Sequence, residues 1–170
     1  TTISVTVPAS SAGLVDVMVT NTDGQTATLN QAFTYNPAPT LTGLTPIESP
    51  LAGDITVTLT GTGFLAGATV EFGAKEASSV EVDASGTTIS ATVPASSAGA
   101  VDVTVTNSDG QAGTLPQAFT YNPAPTLASL TPIESPLAGG ITVTLTGTGF
   151  LAGATVTFGD KTVDVEVDAS

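Results

Sequence analysis

Apolar and polar residues alternate strictly along several short runs of the chain. Ile55, Val57 and Leu59 alternate with Thr56, Thr58 and Thr60. Ile89, Ala91 and Val93 alternate with Thr88, Ser90 and Thr92, and Val101, Val103 and Val105 with Asp102, Thr104 and Thr106. A period of two puts one set on each face of a strand, so each run buries one face and wets the other. The pattern predicts seven strands in the middle of the chain, at 41–45, 54–60, 68–73, 78–83, 87–93, 100–106 and 113–121. Turn chemistry separates them: Gly61-Thr62-Gly63 and Ala66-Gly67 follow the second strand. Asn107-Ser108-Asp109-Gly110 joins the last two as a hairpin, its Asp-Gly suited to positive φ. No run has the period of a long amphipathic helix. The chain reads as all-β, with Val57, Leu59, Phe72, Val103, Val105 and Phe119 expected inside and Thr58 and Thr104 outside.

The same pattern returns along the chain. Residues 1–39 reappear at 87–125 with seven substitutions, and the run TLTGLTPIESPLAGDITVTLTGTGFLAGATVEFG at 40–73 returns, with a few changes, at 126–159. The offset is 86 residues in both cases, too long for a small solenoid repeat and suited to a self-contained sandwich. Residues 40–125 therefore read as one complete repeat. Residues 1–39 read as the C-terminal half of a repeat, with its last three strands, and 126–170 as the N-terminal half of another, with its first four. Asn-Pro-Ala-Pro, at 36–39 and 122–125, separates them as a short stiff connector, which predicts a rod-like array. Thr1 opens inside a strand-like run, so the chain is expected to be a fragment or a processed form.

Composition narrows the chemistry. Aromatics are 5% of the chain and Trp is absent, so the core must be built mainly from Val, Ile, Leu and Ala, with Phe as its largest filler. Two Lys and fifteen Asp or Glu give a net charge of −13. Nucleic-acid binding depends on cations that displace condensed counterions, and anionic membrane surfaces repel such a chain, so neither partner is expected. Without Cys there are no disulfides, and no apolar stretch is long enough to span a bilayer.

The ordered run of TPIESPLAG, ITVTLTGTGF, ATVEFG, ISATVPASSAGAVDVTVTNSDGQ and a closing AFTY resembles the IPT/TIG family, the immunoglobulin-like domains of plexins and transcription factors. The resemblance covers the chain once completely and twice in part. It implies a seven-stranded sandwich in which the second strand pairs with the fifth and the third with the sixth. It also implies an extracellular or cell-surface setting in bacteria, as a spacer in adhesins or in secreted polysaccharide-active proteins. The Rel-type DNA-binding members are a poor match for a chain so acidic and without Arg.

Candidate sites each have a plainer reading. The chain is expected not to be an enzyme: it lacks His and Cys, which removes most triads, most zinc sites and the commonest general base. Glu81 and Asp83 could work as paired carboxylates, yet period-two spacing on a solvent face explains them as well. Glu48, Asp54 and Asp109 could supply oxygens to a structural calcium at a domain end, although Asp109 already has a reason to exist in a hairpin turn. No other cofactor is expected. Lys75 and Lys161 stand at equivalent positions after Phe-Gly, where an isopeptide staple or a simple turn lysine would both fit. Phe33, Tyr35, Phe64, Phe72, Phe119, Tyr121, Phe150 and Phe158 could stack on sugars, but they recur at fixed positions beside strand ends, as core fillers do. The Thr rows read as solvent faces, which could also accept O-linked sugars.

The leading functional expectation is a structural repeat of an extracellular stalk, adhesin shaft or surface filament. The alternative is an accessory module that binds carbohydrate or another ligand on a secreted or cell-surface protein. The half repeats sharpen the first expectation. Their 39 and 45 residues make 84, against 86 in a whole repeat, and each sheet of a sandwich needs strands from both. The trailing half of one chain is expected to complete a sandwich with the leading half of the next. The other reading is that residues 1–170 are a window on a longer continuous array.

Overall fold

A computed structural model describes residues 1–167. The region before the first connector holds β1 (Gly13–Thr20) and β2 (Thr26–Tyr35). The middle holds β3 (Thr40–Thr45), β4 (Glu48–Pro50), β5 (Thr56–Thr62), β6 (Thr69–Phe72), β7 (Lys75–Glu76), β8 (Ser78–Val82), β9 (Thr88–Thr92), β10 (Gly99–Thr106) and β11 (Ala112–Asn122). After the second connector come β12 (Thr126–Thr131), β13 (Thr144–Thr148), β14 (Thr155–Phe158) and β15 (Lys161–Asp164). Every described regular element is a strand.

The middle region is a two-sheet sandwich. One sheet runs β3-β5-β9-β8 and the other β4-β11-β10-β6-β7. The expected pairings are present: β5 runs antiparallel to β9 with Val57 opposite Ala91, and β6 antiparallel to β10 with Phe72 opposite Val103. Alternation sends Val57, Leu59, Ile89 and Ala91 of the first sheet into one cluster with Val70, Phe72, Val103, Val105, Phe119 and Tyr121 of the second. All six residues expected in the core are fully buried.

Besides β7, a two-residue strand where a turn was expected, three features depart from the sequence reading. The first is β4, which sits between Pro46 and Pro50 and carries no strand signal because proline cannot donate to a ladder. It forms an edge strand parallel to β11, with Glu48 opposite Thr120 and Pro50 opposite Asn122. The second is Thr104, half-buried rather than exposed. Its strand lies between two others, facing Glu71 and Thr114, and its hydroxyl is 2.9 Å from that of Thr114.

The third departure lies in the half repeats. The leading half was expected to carry three strands and has two: residues 1–12 form none, although 1–7 repeat 87–93 with only Val5 in place of Ala91. In the complete repeat β9 is held between β5 and β8, and the leading half has no counterpart of either. The trailing half was expected to carry the first four strands. It has β12-β13 and β14-β15 as separate pairs, and β15 extends the position of β7 instead of forming the expected fourth strand. The run VEVD of 80–83 returns at 165–168; residues 165–167 form no strand, and the rest of that expected strand falls outside the described residues. The Glu-Ser-Pro of β4 recurs at 134–136 and also forms no strand, because the partner of β4 is β11.

Candidate functional site

The feature that separates the halves from the complete repeat is an open seam, and its chemistry follows from where the sandwich is divided. In the complete repeat the hairpin β10–β11 closes the core laid down by β3, β5 and β6. Phe72 meets Phe119 edge to face at 4.9 Å, and Phe119 meets Tyr121 at 5.2 Å. In the leading half Phe33 and Tyr35 hold the same edge-to-face geometry at 5.2 Å, but nothing stands in for Phe72. Phe33 is 37% exposed where Phe119 is 0%, and Phe158 of the trailing half is 48% exposed where Phe72 is 0%. Val17, Val19 and Leu29 on one half and Ile141 and Leu151 on the other are exposed as well.

The leading hairpin keeps the local geometry of β10–β11. In the complete repeat Gln117 has φ 46° at a bulge in the β10–β11 pairing, and its amide donates to Asp102 Oδ1 at 2.8 Å. Gln31 has φ 47° at the same bulge in β1–β2, and its amide donates to Asp16 Oδ1 at 2.7 Å. Tyr121 donates its hydroxyl hydrogen to Pro94 O at 2.9 Å, and Tyr35 does the same to Pro8 O at 2.8 Å. Burial pushes the Tyr121 hydroxyl pKa upward. The hairpin therefore forms locally, with its apolar face exposed.

The other candidate residues do not converge on a site. Asp83 is a turn anchor: Oδ1 accepts from Thr87 N and Thr88 N at 2.8 and 2.7 Å, and Oδ2 accepts from Ser85 N and the Ser85 hydroxyl. The Ser85 hydroxyl first, then the Thr88 amide, hold its carboxyl well below the usual range. Glu81 lies beside it in a shallow depression with Thr58, Val82 and Ser90. Glu48 accepts from Asn122 Nδ2 at 2.9 Å, Asp54 occupies a left-handed turn position at φ 56°, and Asp109 is bonded to Gln111, whose backbone amide and side chain lower its pKa. Among the described residues no three acidic side chains come together as metal ligands. Lys75 is exposed at the start of β7, and Lys161 lies 3.3 Å from its neighbour Asp160 in open solvent. Phe64, Phe72, Phe119 and Tyr121 are core residues, so in the complete repeat they offer no stacking platform.

Sequence reasoning missed the long-range role of Asn107. Asn107 is buried, and its side chain bonds two backbone groups of the loop after β5. Its place at the head of a hairpin turn gave it a sufficient local role, and nothing in the pattern signalled a partner more than forty residues away.

Comparison with known proteins places the fold. The IPT/TIG domain family matches residues 39–121 and again 125–170. Among solved structures, the chain resembles the plexin A4 extracellular region, domains 1 to 10, at 24% identity and a TM-score of 0.51, over 83% of this chain and 12% of that one. It also resembles SGBP-B from a xyloglucan utilization locus in Bacteroides uniformis (19% identity, TM-score 0.46, 68% of this chain and 31% of that one). An auxiliary nutrient binding protein from Bacteroides thetaiotaomicron is similar at 20% identity and a TM-score of 0.41, over 56% of this chain and 22% of that one. The chain thus spans about a third or less of each of these proteins. No curated protein matches it in sequence. With the family matching both the complete repeat and the one that follows, on an all-β sandwich of the expected pairing, the chain belongs to the IPT/TIG domain family.

Proposed function

We propose that this chain is a non-catalytic structural module of an extracellular stalk, adhesin shaft or surface filament, in which half repeats are completed head-to-tail by neighbouring copies. The observation that carries the reading is the match between the two open faces and the closed seam of the complete repeat. Aligned on that repeat, the two halves supply 84 of its 86 positions. The positions that differ are also informative. Glu71 faces Thr104 in the complete repeat; the corresponding pair across an assembled seam is Thr157 and Met18, so a charge is removed where a methionine arrives. Burying these faces draws on the apolar area that holds the central core together. Where the array continues along one chain, consecutive repeats make the same contact.

The contact joins different faces of two copies, so it does not close on itself and propagates. Sedimentation velocity of the 170-residue chain over a wide concentration range is expected to show a mass that rises past the dimer without a plateau. A single monomeric species throughout would count against the reading, and a closed dimer would replace it with mutual exchange.

A further inference from the structure

The connector at residues 36–39 is held by the repeat that follows it. Pro39 is buried. A Cβ added at Gly113, early in β11, would lie 2.2 Å from Pro39 O, and one added at Gly63 would lie 3.6 Å from both Ala38 O and Pro39 Cα. The connector therefore runs in a channel between the loop after β5 and the start of β11, and two glycines keep that channel open.

The β10–β11 turn ties the channel and the connector together. Asn107 N donates to Gln111 O at 2.8 Å and closes the turn. The Asn107 side chain bonds Gly63 O and Leu65 N, which holds the loop after β5 in place. Asp109 accepts twice from Gln111: Oδ1 from the backbone amide and Oδ2 from Nε2, both at 3.0 Å. A side-chain amide has two N–H groups in one plane, so fixing one aims the other. The second donates to Asn36 O at 3.0 Å. Gln25 makes the same pair of bonds to Asp23, at 3.1 and 2.9 Å, so the turn alone builds this arm. A preformed arm loses little conformational freedom when it meets the connector.

The position of that bond gives it its consequence. Asn36 directly follows Tyr35, the last residue of β2, and Thr40 opens β3. With Asn36 O bonded to the following repeat, no free residue stands between the last strand of one repeat and the first anchored group of the next. Pro37 and Pro39 then fix φ at two of the three residues left before β3.

We propose that Gln111 is the positioning residue of the joint between consecutive repeats, locking the connector so that one repeat follows the other at a fixed angle. The parts of the joint recur. Asn107-Ser108-Asp109-Gly110-Gln111 corresponds to Asn21-Thr22-Asp23-Gly24-Gln25. At the second connector a Cβ added at Gly149 would lie 3.4 Å from Pro125 Cα and 3.6 Å from Ala124 O, so the chain follows the same path there. One joint geometry, repeated, gives an array a constant angle. The joint lies within a single chain and stands whether or not copies pair.

The chain has no Cys, so spin labels can be placed at Thr34→Cys on β2 and Thr56→Cys on β5, both exposed and on opposite sides of the joint. Double electron–electron resonance on the 170-residue chain then reads the distance across the joint, alone and with Gln111→Ala or Gln111→Glu added. The labelled chain is expected to give one narrow distance distribution. Both variants are expected to widen it about twofold or more, since alanine has no donor for Asn36 O and glutamate sets a second carboxylate beside Asp109. Thermal melting of the complete repeat should stay close to that of the labelled chain. A broad distribution before any change at Gln111 overturns the lock. A narrow one that both variants leave narrow overturns the role of Gln111 and assigns the angle to the prolines and the glycine channel. Widening that comes only with loss of the melting transition overturns it too, because Gln111 would then be holding its own hairpin.

Discussion

Residues 87–93 and 1–7 differ at one position, yet the first run is largely the central strand β9 and the second forms no strand. Glu-Ser-Pro is a parallel edge strand at 48–50 and irregular at 134–136. The complete repeat and the half repeats thus separate local from tertiary causes of strand formation. Where the hydrogen-bonding partner is close in sequence, as in β1–β2, β12–β13 and β14–β15, the ladder forms in the halves as well. Where the partner lies across the sandwich, the same residues stay unpaired. A strand's propensity is a fit to a pleated, half-buried surface, and without the neighbouring strand that surface does not exist.

The largest expected effect on this contrast comes from the aromatic stack. Phe119→Ala removes a fully buried ring from between Phe72 and Tyr121 and is expected to cost the complete repeat about 3–5 kcal/mol in chemical denaturation. Phe33→Ala makes the same change on the open hairpin and should leave the melting of the complete repeat within about 0.5 kcal/mol of wild type. Equal costs at the two positions would mean that the leading half shares a core with the complete repeat.

Smaller effects probe the polar and steric fit of the closed seam. Asn107→Ala leaves the part-buried Gly63 O and Leu65 N without their partner and should cost about 1 kcal/mol or more. Gly113→Ala drives a methyl onto Pro39 O and should cost about 1–3 kcal/mol as overpacking. Ala27 has already taken that step in the leading half, where β2 pairs only with β1. If Gly113→Ala melts like wild type, the approach of Pro39 is not tight.

Most of the sandwich is legible in the sequence because its strands alternate and its turns carry Gly and Asp at the required positions. The alternation of Val57 and Leu59, or of Val103 and Val105, assigns a face without knowledge of any partner. What the pattern does not carry depends on distant backbone. Ser49 is buried in β4 between prolines, a run with no alternation to read. Asn107 is satisfied twice over, locally through its backbone and at long range through its side chain, and the local role masks the other. The seam itself was visible as a count of residues in each half. The side-chain bonds of Asn107 were not.

The smallest expected effect is confined to the turn that ties β8 to β9, a pairing found among the described residues in the complete repeat only. Asp83 accepts four hydrogen bonds there, chiefly from the Ser85 hydroxyl and the Thr88 amide, and these depress its folded pKa. A carboxylate whose folded pKa is depressed contributes stability above its unfolded pKa, about 3.9, and loses it as pH falls below that value toward the folded one. Asn at this position can still accept through Oδ1 from Thr87 and Thr88, but its amide group cannot accept from Ser85. Asp83→Asn should therefore be less stable than wild type at neutral pH and should converge with it as the pH drops from about 4 toward 2. Thermal melts across that range read the difference directly. The half repeats should not respond, because neither has the β8–β9 pairing among the described residues. Parallel loss of stability in both proteins down to the lowest pH would show that the turn is held by its backbone geometry and that the charge on Asp83 contributes nothing to it.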